Sequence, residues 1–477
     1  MKKLLVVLSM LAFAATAFAQ EEAKKGPEFK YSIWADAFAV TEQTQKEDEQ
    51  KDYSAIRLRP TFSASIENVK VVTTFEIDQF FGAADSTEGA QAAGNGSTKT
   101  SGYADADTDQ IAVEVKNAYI NVTDMFVTGL SLTAGLAPYI YSVGYNNDMP
   151  LFDLTYDADV AKLDLAFIKV VENTTTEKSA ETSTTESVKD TDDVYMYSGK
   201  LPVKIGIVTL TPAWLFVRGE ADNDANTAAA TAWNDATVKT PALMDAYLAE
   251  VGNNGEFYKN MPAFGLTIKN DVFSLQYDFV YIYGKNTTNN KKYTDGLVLD
   301  QDVLKDLYNK DFKAYAAYLN IGVKPTDVFS FNVFSLYATG QDDSDDITSF
   351  QALCGDEIEV GPMFIINDAG LINAVGVSNE FDKAYEGLSM AGIAVTVKID
   401  KFTALAQIAY ARTASDDVVD ETELGTEYDL RLSYEVAPKT SLWAEGAYLN
   451  AGKYLEERNG GHEDDPYYYA GGIVTSI

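Results

Sequence analysis

The sequence predicts an all-β protein, a closed antiparallel transmembrane β-barrel of about 18 strands, with about 16 as the alternative. Three observations carry this. The chain opens on an export segment and otherwise holds no long apolar run. It repeats hairpins whose charges keep to one face. Its connections alternate between short and long.

The opening MKKLLVVLSMLAFAATAFAQ reads as a secretory signal peptide over residues 1–19. Lys2 and Lys3 form its basic end, residues 4–13 its apolar stretch, and Ala17-Phe18-Ala19 its small-residue cleavage site. A membrane anchor is the competing reading, but the stretch is short for a spanning helix. No Cys stands at the cut, which argues against a lipid anchor. Residues 20–477 are then expected to form a single barrel domain. Cys354 is the sole cysteine, so no intrachain disulfide exists and stability must come from an extended core or a closed sheet. The 72 acidic side chains outnumber the 37 basic ones, which excludes nucleic acid as a partner. An apolar content of 46% excludes disorder as the meaning of that charge.

The strands follow in order. A single strand is expected at 29–40. The next segment, IRLRPTFSASIENVKVVTTFEID over 56–78, splits by parity. Ile56, Leu58, Phe62, Ala64 and Ile66 oppose Arg57, Arg59, Thr61, Ser63 and Ser65. After the break at Glu67-Asn68, Val71, Phe75 and Ile77 oppose Lys70, Thr74, Glu76 and Asp78. Looser hairpins are expected over 111–139, 151–170 and 195–219. Tidier ones cover 264–284, 315–340, 391–414 and 428–452, with turns at Asn270-Asp271, Pro325-Thr326, near Asp400 and at Pro438-Lys439. A last strand, YYYAGGIVTSI, covers 467–477. Each hairpin strand runs to about ten residues, the length a tilted strand needs to cross a bilayer.

Long polar segments follow Val40, Phe81, Val171, Arg218 and Gly340, whereas the turns within hairpins are short. A soluble sandwich has no reason to sort its loops this way, although a soluble sheet shows the same alternation of apolar and polar residues. In lipid a sheet must close on itself, because the bilayer offers no hydrogen bonds. A charge at the lipid-facing midplane costs about 2–4 kcal/mol, so the charges must share the inner face. They do. Glu114 and Lys116 oppose Ile111, Val113 and Val115; Lys269 opposes Phe264, Leu266 and Ile268; Asp278 opposes Leu275, Tyr277 and Phe279. Lys398 opposes Val395 and Val397, and Asp429, Arg431 and Glu435 oppose Tyr428, Leu430, Leu432 and Tyr434. Many of the 29 tyrosines stand near strand ends, as membrane interfaces favour.

On the signal peptide, the hairpin series and the last strand, the mature chain resembles a Gram-negative-type outer-membrane porin. The resemblance implies short periplasmic turns, long extracellular loops and outer-membrane lipid around the barrel. A homotrimer is implied by the resemblance alone. Porin chains typically end in an aromatic residue, whereas this one ends in Ile477.

Catalytic chemistry is not indicated. His462 is the sole histidine and stands in a polar loop, which leaves no Ser-His-Asp triad, and zinc held by Cys and His is excluded. No cofactor is expected. The acidic runs at 190–193 and 342–346 read mainly as solvated surface, with loosely bound Ca2+ as the minor alternative. The apolar segment 360–377 needs burial: it folds into the lumen, packs under other loops or adds a strand pair, and the inward fold is favoured. Trp34, Phe38 and Trp443 are candidate lumenal aromatics, with wall packing the preferred reading.

The expected pore lining is Arg57, Arg59, Lys70, Glu76, Asp78, Glu114, Lys116, Lys269, Asp278, Lys398, Asp429, Arg431 and Glu435. A lumen with both signs of charge, ringed by acidic loops, points to passive diffusion of small hydrophilic solutes with mild cation preference. An anion-binding constriction at Arg57 and Arg59, a substrate-specific channel and a non-conducting surface barrel are the alternatives.

Overall fold

The computed structural model describes residues 26–43, 51–81, 103–104, 112–142, 146–171, 194–221, 255–287, 310–342, 346–350, 363–366, 387–415, 421–458 and 465–477. The signal peptide, His462, Cys354, the run 190–193 and most of 360–377 lie outside them.

The strands are β1 (Glu28–Gln43), β2 (Lys51–Ile66), β3 (Val69–Phe81), β4 (Ala112–Val122), β5 (Leu130–Ile140) and β6 (Asn146–Asp157). Next come β7 (Lys162–Val171), β8 (Val194–Lys200 continued by Val203–Ile205), β9 (Val208–Ala221), β10 (Gly255–Lys269), β11 (Phe273–Thr287) and β12 (Lys310–Val323). The rest are β13 (Phe329–Ala338), β14 (Leu388–Ile399), β15 (Phe402–Arg412), β16 (Glu423–Ala437), β17 (Thr440–Ala451) and β18 (Tyr467–Ser476). β8 is broken only at Leu201-Pro202, where proline withdraws a ladder donor. The pair Tyr103–Ala104 merely adds to β3.

Each strand pairs antiparallel with the next, and β1 pairs with β18 from Trp34↔Ser476 to Gln43↔Tyr467. The sheet is therefore a closed barrel of 18 strands. Closure leaves no open edge, as lipid demands. The start of β1 and the end of β18 stand at one rim with the short turns, and the strand ends that the long segments join stand at the other. The short turns use local chemistry. Asn270 Oδ1 accepts from the amides of Val272 and Phe273 at 2.9 and 2.8 Å, and Glu67, Asp400 and Lys439 take positive φ.

The exterior is an apolar belt. Phe62, Val113, Phe152, Trp214, Val333, Leu430 and Ile473 are all exposed, which in water would be an aggregating surface and in lipid is the required one.

The inner face is less uniformly polar than the sequence suggests. Toward the loop rim, Leu151, Ile168, Met196, Leu215, Val217, Val280, Leu336 and Met390 point inward and are buried. Among the described residues, two inward folds stand over this face. The first is the upper β5–β6 hairpin. β5 pairs with β4 only from Ala118↔Leu136 to Val122↔Leu132, and β6 pairs with β7 only up to Leu151↔Ile168. Beyond those points the hairpin leaves the wall and remains paired with itself as far as Ile140↔Asn146. Ala137, Tyr139, Tyr141 and Met149 on it are buried. Residues 146–148, which fall between the hairpins expected over 111–139 and 151–170, belong to this flap. The flap turns at Gly135, whose φ is +128° and where a Cβ would stand 2.3 Å from the Ala118 carbonyl oxygen. Gly135→Val is expected to lower barrel stability by about 1–3 kcal/mol, read as a lower urea midpoint in vesicles; an unchanged midpoint would contradict the fold described here.

The second inward fold is Met363–Ile366, whose four side chains are buried. Of the three arrangements open to the 360–377 segment, these described residues adopt the inward one.

Candidate functional site in the lumen

The inner face of β1–β4 carries a ladder of ionised groups. The register sets Asp36 opposite Arg57, Trp34 opposite Arg59, Arg57 opposite Asp78, and Glu76 opposite Glu114. Arg57 grips Asp78 with two donors, Nε at 2.8 Å and Nη2 at 3.0 Å. Arg59 Nε donates to Glu76, and its guanidinium lies 5.3 Å from the centre of the Trp34 ring. Such planar forks are short and strong, and they fix side chains that would otherwise sweep the lumen.

Across the seam where β1 meets β18 lies a second cluster. Arg431 Nε donates to Glu445 Oε2 at 2.5 Å, and Tyr468 Oη donates to Glu445 Oε1 at 3.1 Å. Gln407 Nε2 donates to Asp429 at 2.7 Å. Trp443 Nε1 donates to Asp36 at 3.0 Å, and its ring packs against Phe38 with centres 6.1 Å apart. Trp34, Phe38 and Trp443 thus face inward, with both tryptophans against charged groups and Phe38 against the Trp443 ring, which corrects the preference for wall packing.

The inward segment docks on this cluster. Glu427 is fully buried, and its carboxylate accepts from the backbone amides of Phe364 (2.7 Å), Ile365 (2.6 Å) and Ile366 (2.7 Å). Phe364 N also reaches Asp429 at 3.3 Å. The Phe364 ring lies 4.7 Å under the Arg431 guanidinium. Three consecutive amides converging on one carboxylate form an anion nest, here built from a loop and filled by the wall.

The flap has its own clamps. Asp148 accepts from Asn117 Nδ2 at 2.5 Å and pairs with Lys116 at 3.2 Å. Lys200 Nζ donates to the Ile140 carbonyl at 2.9 Å, pairs with Asp164 at 3.1 Å and lies 4.4 Å from the Tyr139 ring centre. Tyr141 Oη donates to the Met261 carbonyl on β10, so the flap reaches over the inner wall of β7–β9.

The expected lining residues divide by height. Arg57, Arg59, Glu76, Asp78, Glu114, Lys116, Asp429 and Arg431 fall in the clusters just described, and Asp278 stands on β11, accepting from Gln276 at 2.6 Å. Lys70, Lys269, Lys398 and Glu435 share inward parity but stand within two residues of strand ends at the short-turn rim, where all four are exposed. Sequence reasoning missed Asp36, Asp148, Glu427, Glu445 and Lys200. In the 342–346 run, Asp346 takes Lys313 Nζ at 2.6 Å and the Asp311 amide at 3.4 Å, a local clasp between loop and strand.

No protein-family model and no curated protein matches the chain. Among solved structures it is similar to Acinetobacter baumannii OccAB1 and OccAB4, each at 11% identity and a TM-score of 0.50. Both alignments cover 96% of this chain, with 99% and 100% of the respective counterpart. At such identity the likeness concerns the fold alone, a closed β-barrel that matches over nearly the whole of both chains. The exposed apolar belt around the closed sheet is the surface that a lipid bilayer requires.

Proposed function

We propose that this barrel is a passive diffusion channel for small hydrophilic solutes and ions, with a preference for cations. The charge balance of the inner face carries this reading. Arg57, Arg59, Lys116, Lys200 and Arg431 each lie against a carboxylate. Asp36, Asp278, Asp429 and Glu427, by contrast, are held directly by neutral donors: an indole, two carboxamides and backbone amides. Against these four acids stands the inward cation Lys259, which lies over the Phe257 and Phe312 rings; the surplus among these groups is therefore negative, and a confined negative surface concentrates cations.

The test is the reversal potential of the reconstituted protein across a KCl gradient. Potassium is expected to permeate faster than chloride, and Asp36→Asn with Asp278→Asn is expected to cut the permeability ratio by about half. A reversal potential of the opposite sign would overturn the reading.

A second reading, a channel selective for one solute class, is favoured by one feature. Four lumenal cations lie against aromatic faces: Arg59 on Trp34, Arg431 on Phe364, Lys200 on Tyr139 and Lys259 on Phe312. Such pairs present a flat apolar surface beside fixed charge, suited to solutes that carry both. Block of the conductance by one class of solute alone distinguishes it from simple diffusion.

A further inference from the structure

The outer face carries a pattern of its own at the loop-side end of β7–β11. The register aligns Lys169 with Tyr195, Tyr195 with Arg218, Arg218 with Tyr258, and Tyr258 with Lys285. One cross-strand row thus reads cation, tyrosine, cation, tyrosine, cation. Every member has outward parity, an even number of residues along its strand from the exposed Leu165, Tyr197, Trp214, Phe264 and Tyr283. Strands stand about 4.8 Å apart, so successive cations are spaced by roughly 10 Å. Lys285 also reaches Asp311 at 3.6 Å, the next residue in register, and there the row ends.

The height of the row matters as much as its composition. One outward row closer to the membrane centre lie Phe167, Tyr197 and Phe216, their ring centres 5.3 and 6.3 Å apart in turn, with Trp214 at 6.1 Å from Phe216. Such aromatic girdles mark where hydrocarbon gives way to headgroups. Two residues further along the strand is about 7 Å further out, the level of lipid phosphates. A chain with 72 acidic and 37 basic residues has gathered three outward cations at that level on five adjacent strands.

We propose that this row is a binding surface for anionic, phosphate-bearing lipid headgroups of the loop-side leaflet. Arg218 at its centre offers a planar donor fork to a phosphate. Lys169 and Lys285 flank it as point charges, and Tyr195 and Tyr258 lie between them against the headgroup's polar body. The surface is separate from the lumen, so it stands or falls independently of conduction.

The test uses the full-length barrel in an uncharged detergent, with retained lipid counted by native mass spectrometry. The probes are phosphatidic acid, phosphatidylcholine and inorganic phosphate. The row is removed in a triple variant, K169Q/R218Q/K285Q, and Arg412→Gln is the control, an outward cation at the same rim but outside the row. The wild type is expected to hold phosphatidic acid on the order of a hundredfold tighter than the triple variant, with the control equal to wild type and phosphatidylcholine held weakly by all. Heat-modifiable gel migration reports whether the triple variant folds; if it does not, Arg218→Gln alone is expected to weaken binding by roughly tenfold. Equal retention by the row variant, equal loss in the control, inorganic phosphate binding as tightly as the lipid, or a dimer that disappears with the row would each overturn the proposal.

Discussion

Replacing Glu427 with alanine is expected to enlarge the single-channel conductance, by at least about twofold if the docked segment leaves the lumen. The carboxylate is the common acceptor for three successive amides of the inward segment, at 2.6 to 2.7 Å. Hydrogen bonds to a charged group contribute about 1.5–3 kcal/mol each, and a buried donor left without its acceptor is costly. Alanine removes all three acceptances at once, and the segment gains more from water outside than from a dry wall. Glu427→Gln keeps one acceptor oxygen and adds an unwanted donor, so its conductance is expected to fall between wild type and alanine. Conductance steps in planar bilayers read the outcome. Identical steps for Glu427→Ala and wild type would show that the segment stays in place without its anchor.

Lys200→Ala is expected to give the largest loss of stability of any single lumenal substitution on this barrel, about 3–5 kcal/mol. Lys200 Nζ joins three things at once: the Asp164 carboxylate, the Ile140 carbonyl and the face of Tyr139. Asp164 is buried, and its other oxygen has no hydrogen-bond partner among the described residues. Without the ammonium, a buried carboxylate is left uncompensated and the flap loses its clamp to β8. Urea unfolding in vesicles, followed by tryptophan fluorescence, measures the loss; Lys200→Arg, which keeps the charge, is expected to restore most of it. A midpoint equal to wild type would contradict the clamp.

The wall was legible in the sequence because lipid is an unforgiving solvent. Tyr428, Leu430 and Leu432 against Asp429, Arg431 and Ser433 admits only one orientation, and the short turns at Glu67-Asn68 and Asn270-Asp271 announce themselves through local chemistry. The inward folds were harder to see. The flap strand around Tyr139 and Met149 alternates like any wall strand, so periodicity does not separate them. The usable signal was indirect: Ile168, Met196, Leu215 and Val217 are apolar on the face meant for water, and an apolar inner wall demands a cover. Trp34 and Phe38 were ambiguous because β1 is apolar on both faces; their pairing opposite Arg59 and Ala55 resolves them. Glu427 looked like any other acid among 72, and only its three amide donors distinguish it. Lys70, Lys269, Lys398 and Glu435 have the right parity but stand at the rim, since parity carries no information about height.

The most direct measurement compares two adjacent residues of β16. In a Cys354→Ser background, Leu430→Cys and Arg431→Cys are reconstituted separately into vesicles and exposed to a charged, membrane-impermeant thiol reagent. The cysteine at 431 is expected to react from the water-filled lumen, and the cysteine at 430, turned to hydrocarbon, is expected to stay unmodified. Fast reaction at 430 with protection at 431 would contradict the closed barrel with its charged face inward.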